Sequence, residues 1–125
     1  MSNKTAWMIT VPKDRIGDFK DEVKAAKKED LVKNFRISPN IKSPKLGDIL
    51  FVVYDGKIRG YMPIFSNELK DSFSCNTSYR QMPAGRYLVC VLSRYKQMPY
   101  VSCKGFQGIR RVDFEKFPEL KQLAK

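Results

Sequence analysis

The sequence predicts a single α+β domain over residues 1–125: a small curled β-barrel with an N-terminal helical region and a short C-terminal helix. Three observations carry that prediction. The apolar run Ile49-Leu50-Phe51-Val52-Val53-Tyr54 is joined through Asp55-Gly56 to a second strand-like run, 57–65, which is a hairpin signature because such a turn needs positive φ. Ile16, Phe19, Val23 and Ala26 recur at spacings of three, four and three, which puts them on one helical face. Gly60 and Pro63 interrupt the return strand and mark a bulge or bend where a sheet curls toward closure.

Taken in order, residues 5–11 read as a first strand containing the only tryptophan, Trp7, and ending at Pro12. Asp14 caps the helix that follows. The lysine-rich stretch 24–28 closes it at the end where the helix dipole favours cations, and Gly17 weakens it slightly. Over 27–45 charge replaces pattern: Leu31, Val32 and Phe35 anchor one further helical turn or short helix, and residues 36–45, with Pro39 and Pro44, form a loop of functional length. The strand 49–54 is apolar on both faces and therefore central. After the hairpin, 66–80 is polar and without period. Met82-Pro83-Ala84-Gly85 then turns into a third strong strand, 86–93. Two further strands are expected at 100–103 and 108–114, and a terminal helix from Pro118 carries Leu120 and Leu123.

Hydrophobic residues make up 42% of the chain and charged residues 30%, a globular rather than a disordered composition. The longest apolar stretch falls far short of the roughly 18 residues that a membrane span needs. No apolar stretch as long as a secretory h-region follows the first five residues, so the expectation is a cytoplasmic protein without membrane association. Cys75, Cys90 and Cys103 are odd in number and lack CxxC spacing, which predicts three reduced thiols, at least two of them buried in strands. The chain has no histidine. That removes Ser-His-Asp and Cys-His catalysis and the usual zinc spacings, so neither a metal nor a cofactor is expected.

A formal charge of +11 points to a polyanionic partner, most plausibly RNA or DNA. The cations fall into two groups. Lys33, Arg36, Lys42 and Lys45 belong to the first, and Arg86, Lys104, Arg110 and Arg111 to the second. Phe35, Tyr79, Tyr87, Tyr95, Tyr100 and Phe106 are interleaved with them, a pattern that suits a backbone track with stacking platforms; each aromatic has a core role as its alternative. In Lys104-Gly105-Phe106-Gln107-Gly108-Ile109-Arg110-Arg111, two glycines allow close backbone approach and paired arginines suit phosphate or guanine contacts. The alternative there is a tight turn with Phe106 in the core. Trp7 is either a core anchor or one wall of a base pocket. Asp48 and Asp55 read as turn residues rather than a catalytic pair.

The opening strand with Trp7, the intervening helical region, Lys45-Leu46-Gly47-Asp48-Ile49-Leu50-Phe51 and the return strand with Gly60 together resemble the PUA-like superfamily, most closely its EVE and ASCH branches. The resemblance covers most of the chain as architecture, and its specific motif is the short stretch around Gly47. It implies a PUA-like pseudo-barrel that binds RNA or modified DNA, with a base taken into a pocket beside the barrel. Gly47 and Asp48 match the structural turn, and Trp7 the first-strand aromatic. The Gly-x-Lys-x-x-Glu-x-Arg pattern of ASCH domains is absent.

The function expected is a non-catalytic nucleic-acid-binding module, with Trp7, Lys33, Arg36, Lys42, Lys45, Tyr87, Lys104, Arg110 and Arg111 as its candidate contacts. Two alternatives stand beside it. One is a histidine-free ASCH-like nuclease using a Lys and a Tyr. The other is an interaction or inhibitor protein that binds an acidic protein surface.

Overall fold

The computed structural model describes residues 5–11, 21, 23–24, 32–74, 81–106 and 108–121. Strands dominate them. The run Ile49–Tyr54 forms β3, and all six of its side chains are buried, as a central strand requires. β1 (Ala6–Thr10) lies parallel to it on one side, and β4 (Lys57–Lys70) antiparallel on the other. The turn between β3 and β4 has Asp55 at φ 54° and Gly56 at φ 72°, the doubly left-handed geometry that Asp-Gly favours.

β4 is the longest strand and organises the rest. Its Lys57–Tyr61 part pairs with β8 (Lys96–Ser102), and its Ile64–Lys70 part pairs with β7 (Gly85–Cys90). A 3-10 turn, Leu92–Arg94, carries the chain from one to the other along the same edge of β4. Register shifts at Val52/Val53, Ile58/Gly60 and Ile64/Ser66 bend the sheet. Gly60 sits at one of these bends, where a Cβ would overlap the Tyr95 ring and come within 2.6 Å of the Lys96 carbonyl oxygen. The strand order is β2-β7-β4-β3-β1-β9, with β2 (Lys33–Ile37) and β9 (Ile109–Arg111) at the two ends, and the sheet curls into a half-barrel. β5 (Phe73–Ser74) and β6 (Gln81–Met82) make a separate small ladder.

Alternation along the strands gives the sheet two apolar faces. One holds Trp7, Ile9, Leu50, Val52, Ile64, Leu88 and Cys90. The loop 38–45 covers part of it: Ile41 packs on the cluster, and the Asn67 amide donates to the carbonyls of Ile41 and Pro44, each at 3.0 Å. The other face holds Met8, Phe51, Val53 and Ile58 beneath Phe114, Phe117 and Leu120, the last from α1 (Pro118–Lys121). Among the described residues no helix is long and apolar enough to cross a membrane.

Several elements differ from the sequence prediction. Phe35 lies in β2 rather than in a helical turn, because residues 33–37 find a ready ladder in β7, with Phe35 opposite Leu88 and Ile37 opposite Arg86. Residues 66–70, which give no apolar period in the sequence, are strand: pairing with β7 keeps β4 extended through Ser66, Asn67 and Glu68. The strand predicted over 86–93 stops at Cys90, β8 starts four residues before position 100, and β9 is shorter than predicted. Of the predicted N-terminal helix, Asp21, Val23 and Lys24 have helical backbone, and the remainder lies outside the described residues.

Asp48 does more than make a turn. Only 2% of it is exposed. Its carboxylate accepts the Thr5 amide at 3.2 Å, the Trp7 indole N–H at 3.0 Å and the Lys45 amide at 3.2 Å. Its carbonyl accepts the Ile64 amide at 2.8 Å. Replacing it with alanine would leave the buried Trp7 indole N–H and the part-buried Thr5 and Lys45 amides without their acceptor. Asp48→Ala is therefore expected to cost on the order of 3 kcal/mol in urea unfolding, and Gly60→Ala about 1–3 kcal/mol through overpacking on Tyr95. Unfolding midpoints unchanged from the parent protein would refute both assignments.

Candidate nucleic-acid interface

The charge surplus belongs to the β-rich part of the chain. From Val32 onward there are seventeen Lys and Arg against seven Asp and Glu. Several of those acids are already engaged. Asp48 is buried, Asp55 takes Arg59 at 3.3 Å, and Glu68 takes Lys70 at 3.6 Å. Among the described residues Arg36, Lys42, Lys45, Lys104, Arg110 and Arg111 form no ion pair.

The predicted cations do not make one continuous track. Lys33 and Arg36 both lie on edge strand β2, but Lys33 stands opposite Cys90 and Arg36 opposite Tyr87, so they project to different faces. Arg36 runs beside Gly85, where a Cβ would meet its Nε at 3.1 Å. Lys42 and Lys45 are exposed on the loop that Asn67 fastens over the first apolar face. Arg86 helps hold that loop by donating to the Pro39 carbonyl at 2.9 Å and to Asn67 at 3.0 Å. It is thus a structural cation.

Arg110 and Arg111 are separated in the same way. Arg110 stands opposite Met8 and Arg111 opposite Trp7, on opposite faces of edge strand β9, so the two guanidinium groups do not act as a pair. What the fold does assemble is a corner at the end of β1, between β8 and β9. The Phe106 amide donates to Thr10 Oγ1 at 3.2 Å, and the Cys103 amide to the Gly56 carbonyl at 2.9 Å. These bonds tie the β8–β9 connection to β1 and to the hairpin turn. The Arg110 guanidinium then lies over the Phe106 ring, 4.7 Å from its centroid, with exposed Lys104 two residues before Phe106. Phe106 is half-buried against the second apolar face, so the turn and stacking readings of this segment meet in one residue.

The two other aromatic candidates are core residues. Trp7 is 9% exposed, and its N–H is engaged by Asp48. Tyr87 is fully buried, with its hydroxyl donating to the Pro83 carbonyl at 2.6 Å and its ring edge-on to Phe73. Little of either ring is presented to a ligand in this structure. Tyr79 lies outside the described residues. Thr10 was not legible as a site residue: its partner is 96 positions away, and no local motif marks it.

Among the described residues no group of three His, Cys, Asp or Glu side chains is placed to hold a metal ion. No protein-family model and no curated protein matches this chain.

The thiols report on the corner. Burial pushes the Cys90 thiol far above its ordinary pKa. Partial burial also raises that of Cys103, and the Arg110 cation partly opposes the rise. In a Cys75→Ser background a disulfide reagent should therefore label Cys103 while Cys90 stays unreacted until denaturant is added. Arg110→Gln removes the opposing charge, lifts the Cys103 pKa further and slows its labelling near neutral pH. Prompt labelling of Cys90 in the native protein, or a Cys103 rate indifferent to Arg110, would contradict this geometry.

Proposed function

We propose that this protein is a non-catalytic nucleic-acid-binding module whose main contact is the β8–β9 corner. Lys104 and Arg110 take backbone phosphates there, the Arg110–Phe106 stack offers a platform to an unpaired base, and Arg111, on the opposite face of β9, adds to the positive field. The observation that carries the reading is the set of cations at this corner that no acid among the described residues pairs with, in a chain of charge +11. Such cations release counterions when they meet phosphate, and that release drives association. Lys33, Arg36, Lys42 and Lys45 sit on β2 and the 38–45 loop, and they widen the positive field rather than extend a single track.

The resemblance to PUA-like domains of the EVE and ASCH branches points the same way, through Gly47, Asp48 and Trp7. RNA and DNA are both partners of suitable chemistry, and the cytoplasm suits a protein with reduced thiols and such a partner. Charged side chains on β2 and β9 also discourage pairing with a second sheet, a role that needs no ligand. Affinity measurements separate the two roles.

By fluorescence anisotropy with matched single- and double-stranded RNA and DNA, Lys104→Ala and Arg110→Ala should each weaken binding roughly threefold to tenfold. Arg59→Ala, whose cation is already engaged by Asp55, should change affinity little. Affinities that ignore Lys104 and Arg110 would remove the corner as the contact. Absence of binding at low salt by the parent protein would remove the function.

A further inference from the structure

Leu46 and Phe65 are large apolar side chains that the fold turns outward, 69% and 56% exposed. Each is placed by a backbone irregularity. Phe65 is the extra residue of the bulge between Ile64 and Ser66. Leu46 lies in the turn closed by the Asp48 amide on the Lys45 carbonyl, just before Gly47 at φ +95°. They flank a cleft of about 520 Å³ whose walls include Val32, Pro63, Ile64 and Val91, with Arg94 at its rim. Exposed apolar groups gathered around one concavity mark a place that another molecule covers.

The chemistry of the walls selects the occupant. The amides of Gly47, Ile64, Val91 and Arg94 all donate to internal carbonyls, those of Ile64, Asp48, Pro63 and Val91. Those N–H groups are unavailable to the edge of a nucleobase, which a base pocket must read by hydrogen bonds. Aliphatic walls do suit a leucine-like side chain. Among the described residues the charge around the cleft has one sign: Arg94 is at the rim, exposed Lys45 adjoins Leu46, and none of the described lining residues is acidic. The geometry points to a protein partner, an acidic segment that seats one bulky apolar side chain in this cleft while its carboxylates meet Arg94 and Lys45. This surface is separate from the β8–β9 corner and stands whether or not that corner binds nucleic acid.

The test uses the full chain, isotopically labelled, titrated with a short Glu/Ser peptide carrying one central leucine and with its alanine counterpart. The leucine peptide should shift the amide signals of Leu46, Phe65 and Val91 and bind on the order of tenfold more tightly than the alanine peptide, since the leucine carbons enter the cleft. Leu46→Ser and Phe65→Ser should each weaken it severalfold, and because both side chains already face solvent, neither substitution threatens the core. Arg94→Glu should weaken it by repulsion. Equal shifts from both peptides, or no shifts at the cleft, would overturn the proposal. So would an oligonucleotide that shifts the same amides and displaces the peptide.

Discussion

Asp48 accepts hydrogen bonds from the Thr5 amide, the Trp7 indole and the Lys45 amide, while its carbonyl takes the amide of Ile64. One residue thereby fixes the entry of β1, the start of β3 and the bend of β4. Anionic acceptors make stronger hydrogen bonds than neutral ones, and three donors on one carboxylate offset much of the cost of burying it. Once β1 and β3 are aligned in parallel, the two apolar faces of the sheet are defined. The 38–45 loop and the C-terminal segment then have surfaces to cover. The positions of Arg110 and Arg111 follow from the same alignment, because β9 takes its register from β1.

The parts of this fold that were legible in the sequence are those whose signal is local. Ile49–Tyr54 announces a buried strand by composition, and Asp55-Gly56 announces its turn by conformational need. The parts that were not legible depend on distant partners. Lys33–Ile37 is five residues long with a single aromatic, and only its ladder with β7, some fifty residues later, makes it a strand. Ser66, Asn67 and Glu68 are extended for the same reason.

The candidate site divides in the same way. The segment around Phe106 was marked by its glycines and arginines, and the fold brings Arg110 onto Phe106. Adjacency in sequence suggested that Arg110 and Arg111 work together, but alternation along a strand sends them to opposite faces. From the sequence Trp7 and Tyr87 each carry two readings, core residue or platform, of which the core is the commoner role for a single aromatic. The Asp48 carboxylate and the Pro83 carbonyl, which engage their polar ends, are three-dimensional facts that spacing does not reveal.

The cations of the β8–β9 corner pair with no acid among the described residues, and a phosphate backbone would answer their charge instead. The most direct measure of that contact is the number of counterions displaced on binding. Oligonucleotide affinity should be followed across a salt series for the parent protein and for a variant combining Lys104→Ala and Arg110→Ala. If the corner is the contact, the slope of log affinity against log salt should become shallower by roughly 1.4–1.8, about 0.7–0.9 for each cation removed. An unchanged slope would show that these residues meet no phosphate and would contradict the account.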